Sequence, residues 1–204
     1  ASVVTPWSIR DLNRGKSVVI IDGKGANDLP MDIFNAVDEF YLDCTTLHFD
    51  LTYPEESVAI NPLRHGSPQQ ITDRIFSSFE FNDPFYESVQ YDICGYLIRL
   101  THKTDRVTTF KLLYRLLTDD RELSKLLSEL DDQDELKSIL RGYLKESIKD
   151  RKNKMSGLIS QLSPFATSEI AEIVNSTEVN NSLYNLMTNT DKSKIFIFSI
   201  PTLK

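Results

Sequence analysis

Cysteine, histidine and glycine are scarce in this sequence, at two, three and seven residues in 204. Cys44 and Cys94 match no metal-binding spacing and form no disulfide framework, so both are expected to be plain core thiols in a reducing compartment. His48, His65 and His102 include no pair at i, i+4, which removes the helical metal motif, and each is expected at the surface or at a cap. No Gly-x-Ser-x-Gly elbow occurs, and no cysteine stands beside a histidine in the sequence. A basic excess is missing too: 23 Lys and Arg face 30 Asp and Glu, a net charge of −7. That balance argues against a broad nucleic-acid surface, although local patches are compatible with it. No apolar run approaches the roughly 18 to 20 residues of a membrane span. No secretory leader opens the chain and its first residue is Ala, so a piece of a longer protein is expected.

The one glycine-rich, lysine-bearing stretch is "RGKSVVIIDGKG", residues 14 to 25. A phosphate loop needs Gly-x-x-x-x-Gly-Lys-[Ser/Thr], but the position of its first glycine holds Arg10. Its context is reversed as well, because such a loop leaves a strand and opens a helix. Here Gly15-Lys16-Ser17 runs into Val18-Val19-Ile20-Ile21, which reads as a turn into a buried strand.

What is present is an ordinary globular composition, 40% hydrophobic and 26% charged. The pattern predicts an α/β fold with a large all-helical insertion. Parallel strands are expected near 18–21, 45–49, 57–60 and 194–200. Ile33, Phe34, Val37 and Tyr41 recur at helical spacing behind Pro30. Residues 1–66 form the first α/β segment, 67–190 the helical insertion, and 191–204 the returning strand.

Within the insertion, Ser67, Pro68 and Gln70 spell a capping box with proline at the first helical position. Asp83 and Pro84 repeat the device before Phe85, Val89, Ile93, Leu97 and Leu100. Asp119 with Glu122, and Asp132 with Glu135, are read as further boxes. The apolar stripes behind them face a core, or else form a partner-binding groove.

Few residues invite chemistry, and none is assigned as catalytic or metal-binding. The acidic pairs Asp119-Asp120 and Asp131-Asp132 read as helix caps. Lys149, Arg151, Lys152 and Lys154 form the one local basic run. It is a candidate for DNA or partner contact, or the cationic end of a long helix favoured by the dipole. Asp22 and Lys24, with Gly23 and Gly25, follow a parallel strand, where α/β folds place ligand-contacting groups. A glycine-rich turn with solvated charges is the other reading.

Taken in order, the landmarks resemble one family. "RGKSVVIIDGKG" is similar to the strand ending in Asp-Pro-Lys-Gly in type IV secretion coupling proteins, the TraD/TraG class related to FtsK-type translocases. Gly23 replaces the proline, while Asp22, Lys24 and Gly25 match. "AINPLRHGSPQQITDRIFSSFEFNDPFY", "VTTFKLLYRLLTD", "MSGLISQLSPFA" and "KIFIFSIPTLK" resemble later segments in the same order.

The resemblance implies the middle of a RecA-like motor domain, without its Walker A and Walker B motifs, carrying an all-helical substrate-recognition module. Asp22, Lys24 and Gly25 would then lie near the nucleotide of the intact parent, which would use ATP and Mg. This segment alone would be inactive and would hold no cofactor. The implied partners are relaxase or relaxosome proteins, DNA, and secretion-channel proteins through a hexameric parent, with the fragment monomeric. The implied location is the cytoplasmic portion of an inner-membrane-anchored bacterial protein. The alternative is a docking or regulatory module with no DNA or nucleotide binding of its own.

Overall fold

The β-branched run Val18-Val19-Ile20-Ile21 forms strand β1 (Val18–Asp22), and two further segments of that character join it. These are β2 (Cys44–Asp50) and β3 (Ser193–Ser199). The computed structural model describes residues 3–24, 28–81, 84–178 and 192–200. All strand pairs are parallel, in the order β1-β3-β2, so the last strand in sequence lies in the middle. Helices α1 (Val4–Leu12) and α2 (Asp28–Glu39) accompany the sheet. The helices α3 (Pro68–Ser78), α4 (Pro84–Lys103), α5 (Phe110–Thr118), α6 (Asp120–Ser128), α7 (Glu135–Lys145), α8 (Ile148–Thr167) and α9 (Ala171–Val174) lie between β2 and β3 in sequence. The chain divides into two compact units, Ala1–Ile60 with Glu178–Lys204, and Asn61–Thr177. It is an α/β sheet unit accompanied by a helical one.

In the sheet unit, Ile9 and Leu12 of α1, Ile33 and Val37 of α2, and Ile195 and Ile197 of β3 make one buried cluster. Strand residues alternate between faces, so these contacts place α1 and α2 on the face shared by Val18, Ile20, Ile195 and Ile197. The alternate residues of β1 lack that cover: Ile21 is 73% exposed and Val19 47%. Phe49, Phe196 and Phe198 gather by ring contacts on that second face.

Two expectations need correction here, and one helix is new. Residues 57–60 are not a strand: a short 3-10 turn at Pro54–Glu56 precedes them, and the Val58 N–H reaches the His48 carbonyl at 2.8 Å as a single bond, not a ladder. Tyr41 is not on the α2 face; it follows the helix at φ +49° and is almost fully exposed. Helix α1 has no counterpart in the sequence reading, because Val3 supplies no side-chain cap and its apolar face shows only in the packed cluster.

In the helical unit, Ser67 caps α3 with the full reciprocal box to Gln70, as its spacing predicts. Asp83 lies outside the described residues. Asp119 caps α6 through the Arg121 N–H, but Glu122 turns away to an ion pair with Arg115 at 2.6 Å. The cap of α7 is Asp134, two residues beyond the expected Asp132, whose carboxylate pairs with Lys137 at 2.8 Å. The stripes are core: Leu97, Leu113, Leu123, Leu140, Leu158 and Leu162 are fully buried.

Candidate functional site at the carboxyl edge of the sheet

Parallel strands end together here. The register pairs Asp22 with Ser199 and Ser199 with Asp50, so the three stand in one row across the carboxyl edge. Residues in register on parallel strands project to the same face, and in open α/β sheets that edge is where ligands bind. His48 precedes Asp50 by two positions and so shares this face.

The side chains are closely arranged. His48 Nε2 lies 2.8 Å from Ser199 Oγ and 3.5 Å from Asp50 Oδ2. The ring of Phe34 meets the imidazole edge-on at 5.8 Å between centroids. Asp50 Oδ1 accepts the N–H groups of Thr52 at 2.7 Å and Tyr53 at 3.3 Å, which folds the chain back after β2. Asp50 Oδ2 is buried with no hydrogen-bond partner, in a side chain only 1% exposed. A buried carboxylate oxygen left that way is costly, and the nearest group able to relieve it is His48.

This arrangement is not a nucleophile triad. There the acid takes one imidazole nitrogen and the serine the other, whereas both Ser199 and Asp50 face Nε2 here. Ser199 is also fully buried, out of reach of a substrate. Among the described residues, no three His, Cys, Asp or Glu groups converge to hold a metal ion. Of the row, only Asp22 is accessible, since Ser199 and Asp50 are buried.

Sequence reasoning named Asp22 and Lys24 at this edge, and the Lys24 N–H donates to Asp22 Oδ1 at 3.0 Å in a short turn. Gly25 lies outside the described residues. His48, Asp50 and Ser199 were missed as a group. The sequence signal for them is slight: His48 and Ser199 fall inside the expected strands 45–49 and 194–200, and Asp50 directly follows the first.

The basic run is placed differently from the expectation. Lys149 to Lys154 occupy the first two turns of α8, not the end of a helix, so the dipole does not favour them. Arg151 is buried. It grips Asp120 with two bonds, 2.7 and 2.6 Å, and its guanidinium lies 5.3 Å from the Tyr143 ring centre. Those bonds hold the Asp120 carboxyl below the usual carboxylate range. Lys154 donates to Glu146 at 2.8 Å, which raises its pKa. Of this run, Lys149 and Lys152 stand exposed with no ion pair among the described residues.

Several landmark residues act as joints of the helical unit. Asn61 donates to the Thr108 carbonyl and accepts the Leu63 N–H. Thr109 caps α5 through the Leu112 N–H. Gly157 lets Gln90 approach so closely that a Cβ there would stand 3.0 Å from Gln90 Oε1. Packing accounts for these positions without a ligand. No described helix is long and apolar enough to cross a membrane. No protein-family model matches the chain, and no curated protein matches it either.

Proposed function

We propose that the chain is a segment of a conjugative type IV coupling protein, the ATP-driven motor that passes a relaxase–DNA complex to a secretion channel. In this reading the sheet unit is part of a RecA-like nucleotide domain, and the helical unit is its substrate-recognition module. The observation that carries it is the insertion of a complete helical unit between two neighbouring strands of a parallel sheet whose carboxyl edge holds Asp22, Ser199 and Asp50 in a row. The landmark order from Asp22 to Ser199 supports it, and the exposed Val19 and Ile21 of edge strand β1 suit a sheet that continues in the parent.

ATP and Mg would be bound by the parent, since phosphoryl transfer depends on positioning parts that this sequence does not carry. The parent would be a membrane-anchored hexamer, and this segment a monomer facing the cytoplasm.

A second reading makes the helical unit a protein-docking module without DNA contact. Arg151 and Lys154 favour it, because both spend their charge on carboxylates and leave Lys149 and Lys152 to meet phosphates. The test is an in-frame deletion of residues 61–177 in the gene of a donor cell. Transfer of the conjugative element is expected to collapse with the truncated protein still at its normal level. Transfer at the parental frequency would overturn the coupling reading.

A further inference from the structure

Beside α8, the helical unit carries a groove of about 710 Å³ whose walls are Leu117 of α5 and Ile159 and Pro164 of α8. Ser156, Ser160 and Ser163 give it a hydroxyl rim, and no aromatic side chain lines it among the described residues. Lys152 is the single charged residue lining it among the described residues. A second depression of about 300 Å³ shares Leu117 and Lys152 and continues to Arg121 and Ile148. Ile148 is 61% exposed at the start of α8, an isoleucine turned outward where the groove begins.

Both signs of charge line the two depressions, with cations in excess: Lys152, Arg121 and Arg151 against Asp119 and Asp120. Asp120 lines the second depression but is occupied by Arg151, and Asp119 there caps α6. Lys152 and Arg121 present cations with no carboxylate bonded to them among the described residues, and the charge of Lys152 acts on Asp120 from a distance. Pro164 adds a separate feature. It sits inside α8 and has no N–H, so the carbonyl of Ser160, one turn earlier, lacks its helical donor. Pro164 thus forfeits one helical bond at this wall.

We propose that this groove docks an acidic amphipathic segment of a partner protein. The partner's apolar side chains would lie between Leu117, Ile159 and Pro164, and its carboxylates would meet Lys152 and Arg121. This is helix-in-groove recognition, with apolar burial giving affinity and the rim charges setting orientation. A nucleic-acid strand suits the groove less, because sequence-tolerant binding of single strands relies on aromatic platforms that this lining lacks. The inference rests on the helical unit being the partner-docking part of the proposed function.

The test uses the whole chain and a fluorescein-labelled synthetic helix with leucines at i, i+3, i+4 and i+7 and glutamates on the flanks. Anisotropy is expected to show saturable binding, weakened at least about fivefold by Lys152→Glu, since a like charge at the rim opposes the peptide. Ser160→Trp, which fills the groove from an exposed position, is expected to abolish binding while circular dichroism stays unchanged. Lys125→Glu, on the exposed side of α6, is expected to leave binding as it was.

The proposal is overturned by absence of saturable binding, by equal binding of a lysine-flanked counterpart, or by indifference to both groove substitutions. It is also overturned if single-stranded DNA displaces the peptide at matching concentration, which would make phosphate the ligand. Failed peptide binding with transfer still dependent on residues 61–177 removes the groove and spares the coupling reading. Peptide binding through Lys152 with transfer indifferent to those residues supports the groove and removes the coupling reading.

Discussion

In the helical unit, Ser67, Thr109, Asp119, Asp134 and Ser147 each accept a backbone N–H at the start of a helix. Even its buried cations are answered: Arg151 by Asp120, and Lys137 by Asp132 and the Leu130 carbonyl. In the sheet unit, α1 opens on Val3 without a side-chain cap, Ile21 of β1 faces solvent, and Asp50 buries an unanswered carboxylate oxygen. Neither region settles every polar group, because Gln90 Oε1 and Arg151 Nε are buried without a partner in the helical unit, as Asp50 Oδ2 is in the sheet unit. The difference lies in the helix starts: five side chains cap them in the helical unit, and none caps α1.

The sharpest way to break that comparison is at Gly157. Gln90, pinned by its bond to the Lys154 carbonyl at 2.7 Å and almost fully buried, cannot retreat from a new Cβ. Gly157→Ala is therefore expected to destabilise the helical unit by about 1–3 kcal/mol, the range for overpacking. Gly142→Ala, where a Cβ meets nothing within 4 Å, should instead stabilise α7 by about 0.5–1 kcal/mol. Urea denaturation followed by circular dichroism reads both signs. Two shifts in the same direction would mean that α4 and α8 do not pack this closely.

In the sheet unit, Asp50→Ala removes the acceptor for the Thr52 and Tyr53 N–H groups. It also removes the orphaned oxygen, so the expected net loss is about 1 kcal/mol, less than an ordinary capping deletion would suggest. A larger loss would mean that Asp50 Oδ2 is paired in solution.

Acid should act on the helical unit through Asp120. Its folded pKa is depressed by the hydrogen bonds from Arg151, so its contribution is fully present above the unfolded pKa and is lost as pH falls through the lower folded value. The same sign holds for Asp132 and Asp134, paired with Lys137 and Lys103. Asp120→Asn should flatten the fall of stability with acid. A variant as acid-sensitive as the parent would deny Asp120 that role.

The smallest effect is a rate. Burial pushes the Cys94 thiol up to about 12, while Cys44 is half-buried and raised by burial and by Asp43 and Asp38. A thiol reagent near neutral pH should therefore label Cys44 slowly in the native state, and Cys94 only as the helical unit opens. Equal rates would mean that α4 opens as readily as β2.

Local patterns carried much of this architecture. The β-branched run of β1, the Ser67–Pro68–Gln70 box and the leucine stripes were legible because each depends on neighbours within a few residues. The cap at Asp134 was misjudged by two residues, because Asp132 and Asp134 offer equivalent chemistry and the choice is made by Lys137, whose ammonium takes Asp132. Residues 57–60 look like a strand in isolation, yet a strand exists only where a partner supplies a ladder. Arg151 read as a surface cation because a charge run normally lies in solvent, and only the position of Asp120, 31 residues away, buries it.

By itself, the sequence determined a parallel α/β segment interrupted by helices, the main caps, and the absence of a phosphate loop. Tertiary structure alone decided that β3 enters the middle of the sheet, that Asp22, Ser199 and Asp50 share one row, and that two of the four clustered cations are spent on carboxylates. The physical reason is range. Periodicity and capping act over one or two turns of chain, whereas strand order, register and ion pairing join residues as far apart as His48 and Ser199, whose separation only folding removes.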